Sequence, residues 1–153
     1  MNPRIRRLTA DHAAIQDTFS DHPFIRLDGC EGDPPEKYTF EFRVTGLVPD
    51  KEQQCKKHSI HKAEVFLPVD YPRRPPFCRM ITPVFHPNID PQKICIGDHW
   101  SAGESLPHLV VRIGEMICFQ SYNIKSPLNG EAAAWVEQHQ EQLPLVQQDL
   151  MQS

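Results

Sequence analysis

The stretch FHPNIDPQKICIGDHW, Phe85 to Trp100, places the thiol of Cys95 seven residues after Asn88, the last member of a His86-Pro87-Asn88 triplet, among prolines and a glycine. A cysteine in such a turn-rich segment is a candidate nucleophile, because a thiolate attacks a carbonyl carbon readily and also leaves it readily. Taken in isolation the residue reads instead as a small buried hydrophobe, a common state of a free cysteine, and only the landmarks around it overturn that reading. His99, four residues beyond Cys95, invites a cysteine–histidine hydrolase of unrelated fold, with His108 as a second base. Gly97 works against the helical turn that would stack residues four apart, and no group is marked out to orient either imidazole. Cys55, His58 and His61 form a second group of soft donors, in a lysine-rich stretch that reads as exposed. Three ligands without a fourth nearby fall short of a structural zinc site, so no metal or cofactor is expected.

The composition narrows the function classes. A net charge of -4 and a pI near 6.0 provide no general basic field, which argues against a nucleic-acid partner. No apolar run approaches the ~18 residues of a membrane span, and no hydrophobic signal segment follows MNPRIRR. Five cysteines at wide spacings, with no CxxC pair, then read as reduced thiols. The expectation is a soluble cytoplasmic protein with residues 1–153 forming one domain, since the composition does not break along the chain.

The elements that must position Cys95 are visible as periodicities. Ile5, Leu8, Ile15 and Phe19 recur at helical spacing, with Arg4, Arg6 and Arg7 crowding the start of that helix. Tyr38, Phe40, Phe42 and Val44 alternate with polar residues, as do Ala63, Val65 and Leu67; FIRLDG and CRMIT are shorter strand candidates. Four strands in succession predict an antiparallel meander. Seven of the fifteen prolines fall between Pro68 and Pro91, where fixed φ angles and missing amide donors favour a stiff, irregular path. Beyond the cysteine, Leu109, Val110, Ile113, Met116, Ile117 and Gln120 trace one face of a helix that Ser105 can cap, and Asn129 can cap another running to His139. A third short helical stretch is expected after Pro144. The order of elements is that of an α+β protein.

YPRRPP at 71–76, FHPNI at 85–89, ICIGD at 94–98, Trp100 and SPLNGEAA at 126–133 together resemble the ordered landmarks of ubiquitin-conjugating enzymes, over nearly the whole chain. The resemblance implies the fold of that family: an N-terminal helix, a four-stranded antiparallel meander, a loop bearing the catalytic cysteine, and C-terminal helices. It implies that Cys95 accepts the C-terminus of a ubiquitin-like protein as a thioester from an activating enzyme, and that an amine of a target protein then attacks that carbonyl. Asn88 would aim its amide at the developing oxyanion, or else hold the loop that does so. His86 and Pro87 would shape the turn. Ser126 would gate or position the amine, or be an ordinary loop serine. Tyr122 and Asn123 would contact the amine or the carrier tail, and Asp98 would attract a lysine ammonium or simply be solvated. Arg4, Arg6 and Arg7 would offer a positive patch to the activating enzyme, or be a solvated terminus, with no part in stability in either case.

The departures from the family pattern are also informative. The segment from Asn88 to Cys95 is one residue shorter than usual, and that from Cys95 to Trp100 about three shorter. Arg73 stands where an aromatic residue often docks RING-type ligases, and SAGES replaces serine-proline-alanine after the tryptophan. With the run LPHLVVRIGEMICFQSYNIKSPLN, these trims resemble the divergent ubiquitin-conjugating-like proteins of bacterial operons. Those operons pair such a carrier with an activating enzyme, a ubiquitin-like protein and often a deubiquitinase-like peptidase, and several act against phage. The alternative is a non-catalytic module of the same fold that binds a ubiquitin-like protein without carrying it; such modules typically lack the cysteine that this chain has.

Overall fold

The computed structural model describes residues 2–96, 100–145 and 149–151. Helix α1, Pro3–Phe19, starts where the Asn2 side chain accepts the Ile5 amide, with Pro3 in the first turn where no amide partner is needed. Its buried stripe is Leu8, Ile15 and Phe19, as the spacing predicts, joined by Asp11.

Strands β1, Ile25–Gly32, and β2, Pro35–Phe42, are followed by β3, Gly46–Asp50, and β4, Gln54–His58, and then by β5, His61–Phe66, and β6, Phe77–Met80. The main sheet is antiparallel in the order β1-β2-β5-β6, and β3 and β4 form a separate hairpin. The four expected strands are therefore spatial neighbours, but the hairpin interrupts the meander between its second and third members. It escaped the sequence reading because β4, QCKKH, buries only Cys55 and so carries almost no alternation. For the same reason Cys55, expected to be exposed, is instead 5% exposed inside a hydrophobic cluster.

Helix α2, Leu106–Ile117, begins at Ser105, whose hydroxyl accepts the His108 amide, and α3, Gly130–Gln138, begins at Asn129, whose side chain accepts the Ala132 amide. A 3-10 turn follows at Gln140–Gln142. The helical stretch expected after Pro144 falls largely on residues 146–148, outside the described residues.

Two clusters support the site. Tyr38, Phe40 and Phe42 of β2 join Ala63 and Val65 of β5 and the apolar face of α2 in the larger one. Gly114 lets α2 approach closely, since a Cβ there would lie 3.2 to 3.4 Å from Leu150, Phe42 and Ile25. Leu47 and Cys55 of the hairpin, Phe85 just before the triplet, Phe119 after α2, and Ala132 and Val136 of α3 form the smaller cluster. The second cluster is thus assembled from the segments that flank His86-Pro87-Asn88.

Gly46, at the root of the hairpin, is where the two clusters meet. A Cβ on it would lie 2.8 Å from both the carbonyl oxygen and a side-chain carbon of Ile117. A backbone carbonyl cannot rotate away as a side chain can, so Gly46→Ala should cost roughly 1–3 kcal/mol. Urea unfolding should show a lower midpoint at unchanged slope; a wild-type midpoint would contradict this packing.

Candidate active site

Cys95 lies on a short extended segment fixed at both edges. The Ile94 amide donates to the Cys78 carbonyl of β6 at 2.8 Å, and the Cys95 amide donates to the Asn88 carbonyl at 3.0 Å. Ile94 and Ile96 are each 4% exposed. Extended chain alternates its side chains, so burying both isoleucines turns the thiol between them outward, and Cys95 is half-exposed.

The triplet is a tight knot. The His86 Nδ1 accepts the Asn88 amide at 3.0 Å, and its ring lies 4.7 Å from that of Phe119. His86 is 1% exposed. Burial pushes its pKa down to about 4, against a smaller upward pull from the Met116 and Ser121 carbonyls. Its Nε2 reaches no well-aligned acceptor among the described residues. The Pro87 carbonyl accepts the amides of both Leu128 and Asn129. The Asn88 side chain is used at both ends: Nδ2 donates to the Asn123 carbonyl and Oδ1 accepts the Asn123 amide, each at 2.8 Å. The other Nδ2 hydrogen has no acceptor among the described residues, since a primary amide has two hydrogens and one goes to Asn123.

Phe119 carries the chain out of α2 into this loop with φ 63°, a left-handed conformation that costs a non-glycine residue roughly 1–2 kcal/mol. Burial of its ring against His86, and an edge-on contact with Tyr122 at 5.6 Å, oppose that cost.

These segments enclose a cleft of about 240 Å³ lined by Asn88, Cys95, Arg112, Tyr122, Asn123 and Ser126, among others. A second cleft of about 280 Å³, walled by Pro75, Pro76, Phe77 and Lys93, reaches Cys95 from the other side. A larger one of about 570 Å³, between α1 and β1, is lined by no cysteine, so size does not mark the site. Of the residues singled out from the sequence, Asn88, Tyr122, Asn123 and Ser126 come together around Cys95, while His86 and Pro87 hold the wall behind them. Asp98, like His99, lies outside the described residues. Arg112 was not anticipated, although an arginine inside the apolar run LPHLVVRIGEMI was a visible signal. Cys55, Cys78 and Cys118 are buried and Cys30 is exposed on β1. Burial pushes the Cys55 and Cys78 thiols up, away from the reactive thiolate form. Among the described residues no cluster of donors suits a metal ion, and the His61 ring nitrogen meets the His58 carbonyl instead.

The family model of ubiquitin-conjugating enzymes matches residues 26–148. The chain belongs to the ubiquitin-conjugating enzyme family. It is 30% identical to ubiquitin-conjugating enzyme E2 13 of Saccharomyces cerevisiae over 74% of this chain and 75% of that one. It is 34% identical to ubiquitin-conjugating enzyme E2 N of Drosophila melanogaster over 70% and 71% of the two chains. Its fold is that of the E2 domain of a Toxoplasma gondii ubiquitin-conjugating enzyme, with a TM-score of 0.64 at 20% identity, covering 91% of this chain and 90% of that one. The α+β fold read from the sequence is therefore the fold of this family. No helix among the described residues is long and apolar enough to cross a membrane.

The basic end of α1 differs from the expected free patch. Arg7 donates from Nε to both Asp11 oxygens at 3.1 Å, and its terminal nitrogens reach the carbonyls of Ala102 and Glu104 and the Tyr71 hydroxyl. Tyr71 in turn donates to Asp11 at 2.5 Å. Arg4 donates to the Pro68 carbonyl at 2.7 Å. These two arginines clamp the helix to the segments around 68–71 and 102–104, and only Arg6 of the three is exposed. Asp11 has an 8% exposed side chain, so losing its partner strands a buried carboxylate.

Arg7→Ala should therefore cost roughly 3 kcal/mol in chemical denaturation, whereas Arg6→Ala should stay within about 0.5 kcal/mol of wild type. Equal stabilities for the two variants would contradict the clamp. His86 generates a pH prediction. Its folded-state pKa of about 4 lies below the ordinary 6.5, so the folded state disfavours the proton. That stability is fully present above 6.5 and is lost as the pH falls toward the folded value, by about 2 kcal/mol at about pH 5. Denaturation at about pH 7.5 and about pH 5 should show His86→Gln losing less stability than wild type by about that amount; parallel losses would contradict a neutral, buried His86.

Proposed function

We propose that the chain is a carrier enzyme in which Cys95 takes the C-terminal acyl group of a ubiquitin-like protein from an activating enzyme and passes it to an amine of a target protein. The observation that carries the proposal is the half-exposed thiol at the meeting of two clefts, one of them lined by the Asn88 amide. In the first step the Cys95 thiolate attacks the thioester carbon on the activating enzyme. A new carbon–sulfur bond forms, the old one breaks, and the activating enzyme's thiolate leaves and takes up a proton. In the second step the neutral amine attacks the same carbon. The carbon–nitrogen bond forms, the bond to Cys95 breaks, and the proton lost by the amine balances the one regained by sulfur. No cofactor enters either step. The free Nδ2 hydrogen of Asn88 is the donor for the oxyanion of the second step, and its bonds to Asn123 hold it in place. Ser126, Tyr122 and Asn123 border the path of the amine, and Asp98 is a candidate to attract a lysine ammonium on its charge alone. Arg6, with the α1 end that Arg4 and Arg7 hold, is the contact for the activating enzyme.

The short connections from Asn88 to Cys95 and from Cys95 to Trp100 support a narrower reading. In it, this is a carrier of the bacterial operon type, working in the cytoplasm beside a dedicated activating enzyme, ubiquitin-like protein and deubiquitinase-like peptidase in defence against phage. The genes adjacent to the coding sequence test this; neighbours of none of those classes would remove it.

Intact-mass measurement after incubation with an activating enzyme, a ubiquitin-like protein and ATP should show a reductant-sensitive adduct on wild type, and none on Cys95→Ser beyond a more stable oxyester. An adduct that survives in Cys95→Ser and disappears in another cysteine variant would overturn the assignment. Asn88→Ala should slow discharge of preloaded protein to free lysine by about a hundredfold, more than it slows loading. Equal falls in loading, discharge and melting temperature would reduce Asn88 to holding the loop.

A further inference from the structure

The peptide chain at Cys95 is tied upstream by Asn88, and its downstream tie leads into α2. Arg112 donates from one terminal nitrogen to the carbonyl of Ile96, the residue directly after Cys95, at 3.3 Å, and from the other to Glu104 Oε1 at 3.0 Å. Both side chains are sheltered, at 17% and 12% exposure. Desolvating a guanidinium is costly, and an ion pair of this kind adds little net stability over apolar packing. What it does supply is geometry: a planar fork with two separate donor arms fixes two acceptors relative to each other, which a single ammonium does not. Glu104 is anchored in its turn, because its carbonyl accepts from Arg7 of α1 at 2.9 Å. Its second carboxylate oxygen, Oε2, is buried with no partner among the described residues. His108 Nδ1 lies 3.9 Å from the same Oε1, so Arg112 at 3.0 Å is the nearer and hydrogen-bonded partner of this acid. Arg112 also lines the cleft beside Cys95.

We propose that Arg112 is a positioning residue for the thioester chemistry, bridging Glu104 to the Ile96 carbonyl so that the Cys95 thiol is presented to the cleft in one fixed register. The Glu104 carboxylate meets the charge of Arg112, so the contribution is the placement of sulfur rather than a field upon it. The inference rests on the carrier reading for its consequence in catalysis, and on geometry alone for its effect on the thiol.

The test is Arg112→Lys, which keeps the charge opposite Glu104 and loses the second arm. Loading and single-turnover discharge should each fall roughly tenfold, as expected when a reacting atom is slightly misplaced. Alkylation of Cys95 by iodoacetamide, followed against pH, should keep its midpoint while its high-pH limiting rate rises at least about threefold, because sulfur is no longer confined to one register and meets the small reagent from more directions. Buried Cys78 and Cys118 should remain unreactive, which general unfolding would not allow. Wild-type loading, discharge and alkylation in Arg112→Lys would overturn the proposal, as would a moved midpoint at an unchanged limiting rate. If Cys78 or Cys118 becomes reactive, Glu104→Gln decides: it leaves Arg112 in place with a weaker anchor, and should reproduce the rise in limiting rate, whereas wild-type behaviour overturns the proposal. If wild type forms no thioester the carrier reading fails, and the alkylation comparison still decides the role of Arg112.

Discussion

Two hydrogen bonds of 2.8 Å, between the side-chain amide of Asn88 and the peptide group of Asn123, join stretches of chain 35 residues apart and close the cleft beside Cys95. The amide mimics one rung of a β-ladder, donating to and accepting from a single residue, in a place where no strand could reach. The rest of the site is arranged about this rung. His86 Nδ1 orients the Asn88 peptide, the Asn88 carbonyl holds the Cys95 amide, and the Pro87 carbonyl takes the two amides at the entry to α3. A buried polar group is costly unless it is paired. The 8% exposed Asn88 is therefore bound to this geometry as much as it imposes it.

Three local costs fall on the segments that bound the cleft, and others fall at Gln54 and His61 of the hairpin region. Phe119 holds a left-handed backbone, His86 gives up its charge, and Glu104 buries an oxygen with no partner among the described residues. Each is tolerable because two apolar clusters and the α1 clamp surround the loop with ordinary packing. Such a distribution, with strain beside the candidate nucleophile and regular packing behind it, is what a preorganised site would require. The same clamp ties α1, through Arg7 and the Glu104 backbone, to the pair that holds Ile96.

Much of the fold was legible because it rests on local patterns. The alternation from Tyr38 to Val44 marked β2, and Ser105 and Asn129 marked the starts of α2 and α3 through their side-chain oxygens. The β3–β4 hairpin was not legible, since QCKKH is polar on nearly every position. Arg4 and Arg7 read as free cations because their partners, backbone carbonyls some 60 to 100 residues away, leave no trace in composition. The polar Asp11, set among Leu8, Ile15 and Phe19 on the buried stripe of α1, was the one local sign that an arginine there was engaged. At the candidate site, Cys95, Asn88, Ser126, Tyr122 and Asn123 were all marked by family likeness. The reciprocal bond from Asn88 to Asn123 and the fork of Arg112 are long-range geometry, which no spacing along the chain encodes.

The rung from Asn88 to Asn123 is open to direct measurement. Asn123 is itself exposed, on a loop outside helix and strand, and an amide in such a place ordinarily exchanges with solvent at close to the free rate. Native-state hydrogen exchange at the Asn123 amide should instead show protection of about a hundredfold or more in wild type, lost in Asn88→Ala while the amides of β2 remain protected. Exchange of the wild-type Asn123 amide at the free-peptide rate would contradict the account, because the cleft beside Cys95 would then have no fixed wall.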